Sequence, residues 1–125
     1  MPHRAPSRHR FLLTAALLLA GMALPARAEP MHVLETSPRA RTTMDGTREE
    51  FFVRFDAPVD HNGSRLLVLQ EGRVLRTLHP RLNASPDTLY AAAGGLPPGS
   101  YTLRWEAKSR RDGSMTEGSL EFTVR

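Results

Sequence analysis

Seven short runs of β-prone residues, each closed by a turn signal, fill the chain from residue 31 to its end. They cover 31–37, 49–55, 65–70, 74–78, 88–93, 101–107 and 119–124, and none has the length or the apolar period of a helix. Ser37-Pro38, Asp45-Gly46, Asn62-Gly63, Glu71-Gly72, Ser85-Pro86, Pro97-Pro98-Gly99 and Asp112-Gly113 punctuate them. In these pairs proline fixes φ, glycine accepts a left-handed φ, and Asn, Asp or Ser bonds its own backbone. The closing runs alternate without a fault. Tyr101, Leu103 and Trp105 take one face and Thr102, Arg104 and Glu106 the other, while Leu120, Phe122 and Val124 repeat the pattern. Short alternating strands at this spacing predict a seven-stranded antiparallel Greek-key β-sandwich of the immunoglobulin-like class. The alternation assigns its core to Val33, Phe51, Val53, Phe55, Leu67, Leu69, Leu75, Leu89, Tyr101, Leu103, Trp105, Leu120, Phe122 and Val124.

The first 28 residues follow a different logic. Arg4, Arg8 and Arg10 precede an apolar stretch over 11–24, and Ala26-Arg27-Ala28 has the small-x-small form of a cleavage site. This is the pattern of a secretory signal peptide cut after Ala28, with an apolar stretch shorter than the roughly 20 residues of a membrane span. The expected organisation is a signal peptide over 1–28 and one domain over 29–125, exported to a bacterial periplasm and not membrane-embedded after cleavage. The signal also carries the basicity. The chain holds 17 Lys+Arg against 13 Asp+Glu, and Arg4, Arg8, Arg10 and Arg27 leave with the signal, so the mature chain balances. Nucleic acid is thereby disfavoured as a partner, since no basic stripe remains. The chain has no cysteine, which removes disulfides, thiolate metal sites and thiol catalysis.

Enzymatic motifs are missing from the sequence. There is no G-x-S-x-G elbow and no H-E-x-x-H, and Glu49 and Glu50 are strand neighbours that point to opposite faces. The chain does not read as an enzyme. The Asp112-Gly113 loop joins the two best-formed strands at one end of the sandwich, where a rigid scaffold displays chemistry. Asp112 there also satisfies a plain turn. His61, in Val59-Asp60-His61-Asn62-Gly63, reads first as an exposed loop residue, and His79 before Pro80 as a turn residue.

Four segments together resemble the CopC family of periplasmic copper-binding proteins. They are Pro30-Met31-His32-Val33-Leu34-Glu35-Thr36-Ser37-Pro38, Phe55-Asp56-Ala57-Pro58-Val59, the run from Leu96 to Trp105, and the run from Asp112 to Val124. The resemblance implies a periplasmic copper carrier in copper homeostasis or resistance, with copper as ligand and an inner-membrane copper-transport protein as partner. Of the family's copper(II) ligand positions only Asp112 is kept; Pro30, Ala57 and Ser114 stand at the others. A retuned metal site would draw on His32, Asp112 and Met115, with Met31 as a further soft ligand suited to copper(I). Alternation sets a limit, because Met31 and His32 cannot face the same way on a regular strand. The alternative is a metal-free interaction module in which His32 meets solvent, Met31 lies on a frayed terminus and Met115 packs against the sandwich end.

Overall fold

The computed structural model describes residues 30–46 and 48–125, so the expected signal peptide lies outside the described residues. Every regular element among them is a strand: β1 (Val33–Ser37), β2 (Thr42–Met44), β3 (Arg48–Phe55), β4 (Arg65–Gln70), β5 (Arg73–Leu78), β6 (Thr88–Gly94), β7 (Gly99–Lys108) and β8 (Met115–Val124). They form two sheets, β1-β3-β6 and β2-β8-β7-β4-β5, packed as a sandwich. The strand count is eight, one more than the alternation gives. The addition is β2, which runs parallel to β8 with Thr42 opposite Phe122 and Met44 opposite Val124. Three residues are too few to show a period. β2 is bracketed by backbone bonds from Arg41 N–H to the Glu121 carbonyl and from Arg125 N–H to the Met44 carbonyl.

The longest ladder joins β7 to β8, ten residues in unbroken register from Gly99↔Val124 to Lys108↔Met115. Its inner face supplies Tyr101, Leu103, Trp105, Phe122 and Val124, all buried. Phe122 stacks on Tyr101 at 5.7 Å between ring centres, and Phe51 of the other sheet meets Phe122 edge-on at 5.6 Å. Such aromatic pairs add about 0.5–1.5 kcal/mol beyond their buried area. Phe51, Val53 and Phe55 from β3, and Leu89 from β6, close the core from the opposite side with no exposed surface.

The core differs from the sequence expectation at β4, β5 and β1. Leu66 and Val68 face inward, opposite Trp105 and Leu103, and both are fully buried. Leu67 is also buried but lies opposite Arg104 and outside the core cluster, and Leu69 is half-buried. The cause is the unbroken apolar run Leu66-Leu67-Val68-Leu69, which carries no alternation to fix its register. In β5 the ladder shifts between Val68 and Leu69, so Leu75 has no partner on β4 and is 47% exposed. A bulge turns the extra side chain away from the face that alternation assigns it. Val33 is 37% exposed, with a similar irregularity beside it on β1.

Trp105 lies flat over Gly118, its partner across the ladder. A Cβ at Gly118 would come within 2.4 Å of the indole Cζ2. Gly118→Ala is therefore expected to cost about 1–3 kcal/mol through overpacking, and Trp105→Ala about 3–5 kcal/mol through the cavity it leaves. Urea unfolding of both variants checks this; a Gly118→Ala protein as stable as the parent would place the ring elsewhere.

Candidate metal site at the sandwich end

The end of the sandwich beyond Lys108 is stitched across the two sheets. Val59 bridges Ser109, Asp60 N–H donates to the Lys108 carbonyl, and Arg110 N–H donates to the Pro58 carbonyl. Ser64, buried, adds a side-chain link: its hydroxyl donates to the Asp60 carbonyl and accepts from Lys108 N–H. These bonds hold the segment after β3 against the loop between β7 and β8. Within that loop Gly113 takes a left-handed φ of 74°, and its N–H donates to the Ser109 carbonyl.

A cavity of about 200 Å³ lies here, lined by Pro30, Met31, His32, Asp56, Ala57, Ser109, Arg111 and Asp112. Two of the residues singled out from the sequence, His32 and Asp112, thus meet at one site, although they are 80 positions apart in the chain. Met31 lines the cavity but is 5% exposed and belongs to the hydrophobic core. Met115 is placed differently, at the start of β8 opposite Lys108, 52% exposed and outside the cavity lining. Met31 and His32 lie just before the first residue of β1, one buried and one exposed.

His32 is gripped by Asp56. Its backbone N–H donates to Oδ1 at 2.8 Å, its ring Nδ1 lies 3.0 Å from Oδ2, and Asp56 N–H returns a bond to the His32 carbonyl. The His32 amide, and then its ring, hold the Asp56 carboxyl below the usual carboxylate range. An ionised carboxylate only accepts, so Nδ1 carries a proton in this contact, and in the neutral form of the ring Nε2 then holds the lone pair. A carboxylate fixing the tautomer of an imidazole in this way is the usual outer support of a histidine ligand. It also removes Nδ1 and the His32 amide from any metal-binding role. Nothing in the sequence pattern marks Asp56 as this partner. The clue was its place beside Ala57, whose own side chain packs against the core.

Asp112 is held locally. Its Oδ1 accepts from Ser114 N–H at 3.0 Å and from the Ser114 hydroxyl at 2.7 Å. These bonds, with a further one from Ser109, push its carboxyl below the usual range. Ser114, which stands at one of the other ligand positions implied by the resemblance, thus ties down this acid. Arg111 lines the same cavity and brings positive charge to it. Among the described residues no group of three or more His, Cys, Asp or Glu is placed to hold a metal ion.

His61 has a structural role in place of the exposed one expected for it. Its Nε2 lies 3.1 Å from the Ser85 carbonyl and 2.9 Å from the Thr88 carbonyl, so that nitrogen carries the proton. The ring thereby ties the loop after β3 to the start of β6. His61→Ala is expected to destabilise the fold by about 1 kcal/mol, as thermal unfolding would show.

Low pH gives a second test. Both Asp56 and Asp112 titrate lower in the folded chain than in the unfolded one, so the unfolded state takes up protons first as pH falls. Their contribution is complete above the ordinary value of 3.8 and is lost as pH drops through the lower folded values. Urea midpoints followed from about pH 6 to about pH 2 should fall on the acid side, and fall less steeply in Asp56→Asn and Asp112→Asn.

Comparison with known proteins agrees with this architecture. The family model described as CopC domain matches residues 33–125. The crystal structure of CopC from Methylosinus trichosporium OB3b superposes with a TM-score of 0.68 at 27% identity, covering 75% of this chain and 92% of that one. An engineered protein solved by crystallography shares the fold alone, with a TM-score of 0.57 at 21% identity over 80% of this chain and 21% of its own. No curated protein matches the chain. A domain model that spans all the described strands, over a sandwich shared with a solved CopC, makes this chain a member of the CopC family.

Proposed function

We propose that the protein binds copper as cargo in the periplasm, in copper homeostasis or resistance, after removal of residues 1–28. The observation that carries this reading is the grip of Asp56 on His32. Their two hydrogen bonds leave the ring's Nε2 as an uncommitted donor at a cavity shared with Asp112. His32 supplies the imidazole and Asp112 the carboxylate. Met115, exposed at the start of β8 just after the Asp112 loop and outside the cavity lining, is the further soft thioether on which the copper(I) reading draws. Met31 lines the site from the core, and its burial makes it the weakest of these donors. A site with so few donors, open to solvent and sharing its cavity with Arg111, holds its ion loosely and passes it on. An inner-membrane copper-transport protein is the proposed acceptor.

The second reading is a metal-free interaction module of the same fold. The lack of any cluster of three or more His, Cys, Asp or Glu among the described residues favours it.

Competition titration of the mature protein with copper(I) and copper(II) separates the two. The copper reading expects micromolar-range binding that weakens about tenfold or more in Asp56→Asn, which loses the support of the imidazole, and more in His32→Ala. Asp112→Asn and Met115→Ala should each weaken it, and Arg111→Ala should tighten it by removing a like charge. Absence of binding in both oxidation states would leave the interaction module as the function.

A further inference from the structure

β5 is the outermost strand of the five-stranded sheet, paired on one side with β4 and on the other with no strand among the described residues. An open edge of this kind exposes backbone donors and acceptors that a further strand can take up. Its side chains mix exposed aliphatic and basic groups. Val74 is 52% exposed and Leu75 47%, and Leu82 a little further on is 65% exposed. Interleaved with them are Arg73, Arg76 and Arg81. Elsewhere Arg54, Arg65, Arg104 and Arg125 each have a carboxylate within 4 Å. These three have none among the described side chains. Arg76 bonds the Gly94 and Gly95 carbonyls, Arg81 lies 4.8 Å over the Tyr90 ring, and neither contact neutralises charge.

The register sorts this edge by face. Arg73 stands opposite Gln70 and Arg76 opposite Val68, so the bulge at Leu75 brings both arginines to one face of β5; Val74, opposite Leu69, takes the other. A second copy of the chain is a poor fit, since antiparallel self-pairing of β5 centred between Val74 and Leu75 would set Arg73 against Arg76. The complementary occupant is an extended segment with carboxylates on one face and aliphatic side chains on the other.

We propose that β5 docks an acidic, alternating strand of a partner protein by β-addition. Backbone bonds supply affinity and the side-chain alternation supplies specificity. The surface is independent of the His32 site, so either reading stands if the other fails.

The test uses the isotope-labelled mature protein and a capped peptide alternating Glu and Val, with a Lys–Val peptide and phosphatidylglycerol vesicles as further probes. The proposal expects amide shifts along β5, weaker binding as salt rises, and no response to the Lys–Val peptide. Arg73→Glu should weaken binding about fivefold, whereas His32→Ala should leave it unchanged. Since both side chains are exposed, these variants should fold as the parent does, which circular dichroism checks. Shifts that map away from β5, or equal binding of the Lys–Val peptide, would overturn the proposal. So would binding to the vesicles alone, which would make the surface a lipid contact, or a concentration-dependent dimer through β5 without peptide.

Discussion

The ten-residue pairing of β7 with β8 is the constraint on which the rest of the molecule depends. Its inner face contributes Tyr101, Leu103, Trp105 and Phe122 to the core, and its far end holds the loop that carries Asp112. Side chains alternate along a strand with a strict period of two, so a slip of one residue would expose the core and re-aim the loop together. Trp105 over Gly118 guards against that slip, because only a glycine opposite the indole leaves room for it. The same contact that packs the core therefore fixes where the candidate site stands.

That division explains what was legible in the sequence. The β7 and β8 runs are half-buried strands of full length, and their alternation gave both the sandwich class and most of the core. β4 was harder to read, since four apolar residues in succession carry no phase, and the structure resolves them with Leu66 and Val68 inward. Alternation assigns Leu75 and Val33 to the core, and irregular register, invisible to a period, turns them out. β2 escaped because its placement rests on backbone bonds from Arg41 and Arg125, which any residue type could make. At the site, His32 and Asp112, both singled out from the sequence, line one cavity, whereas the Asp56–His32 pairing depends on a contact 24 residues apart that no local signal records.

The positions where this chain departs from the family's copper pattern have physical counterparts in the fold. Ala57 packs its methyl against the core, where a carboxylate would meet a low-dielectric surface, and the neighbouring Asp56 carries the charge outside. Ser114 bonds Asp112 through both amide and hydroxyl. Asp112 therefore has a structural task that does not depend on a metal, and its presence alone is weak evidence for one. His32 differs. Its ring contributes little to packing, with its side chain 67% exposed, yet its tautomer is fixed by a carboxylate.

Orienting an exposed ring costs side-chain entropy, and an exposed ion pair returns little stability, with a median of about 0–1 kcal/mol. The fold gains from the Asp56 grip mainly through the backbone bonds, which anchor the chain where it enters β1. A serine or asparagine could receive that anchor equally well from Asp56. What an imidazole adds at position 32 is a second ring nitrogen with no hydrogen-bond partner among the described residues, in the cavity that Asp112 also lines. That nitrogen is the feature of the site on which the proposed copper reading rests, and the anchor at the start of β1 does not need it.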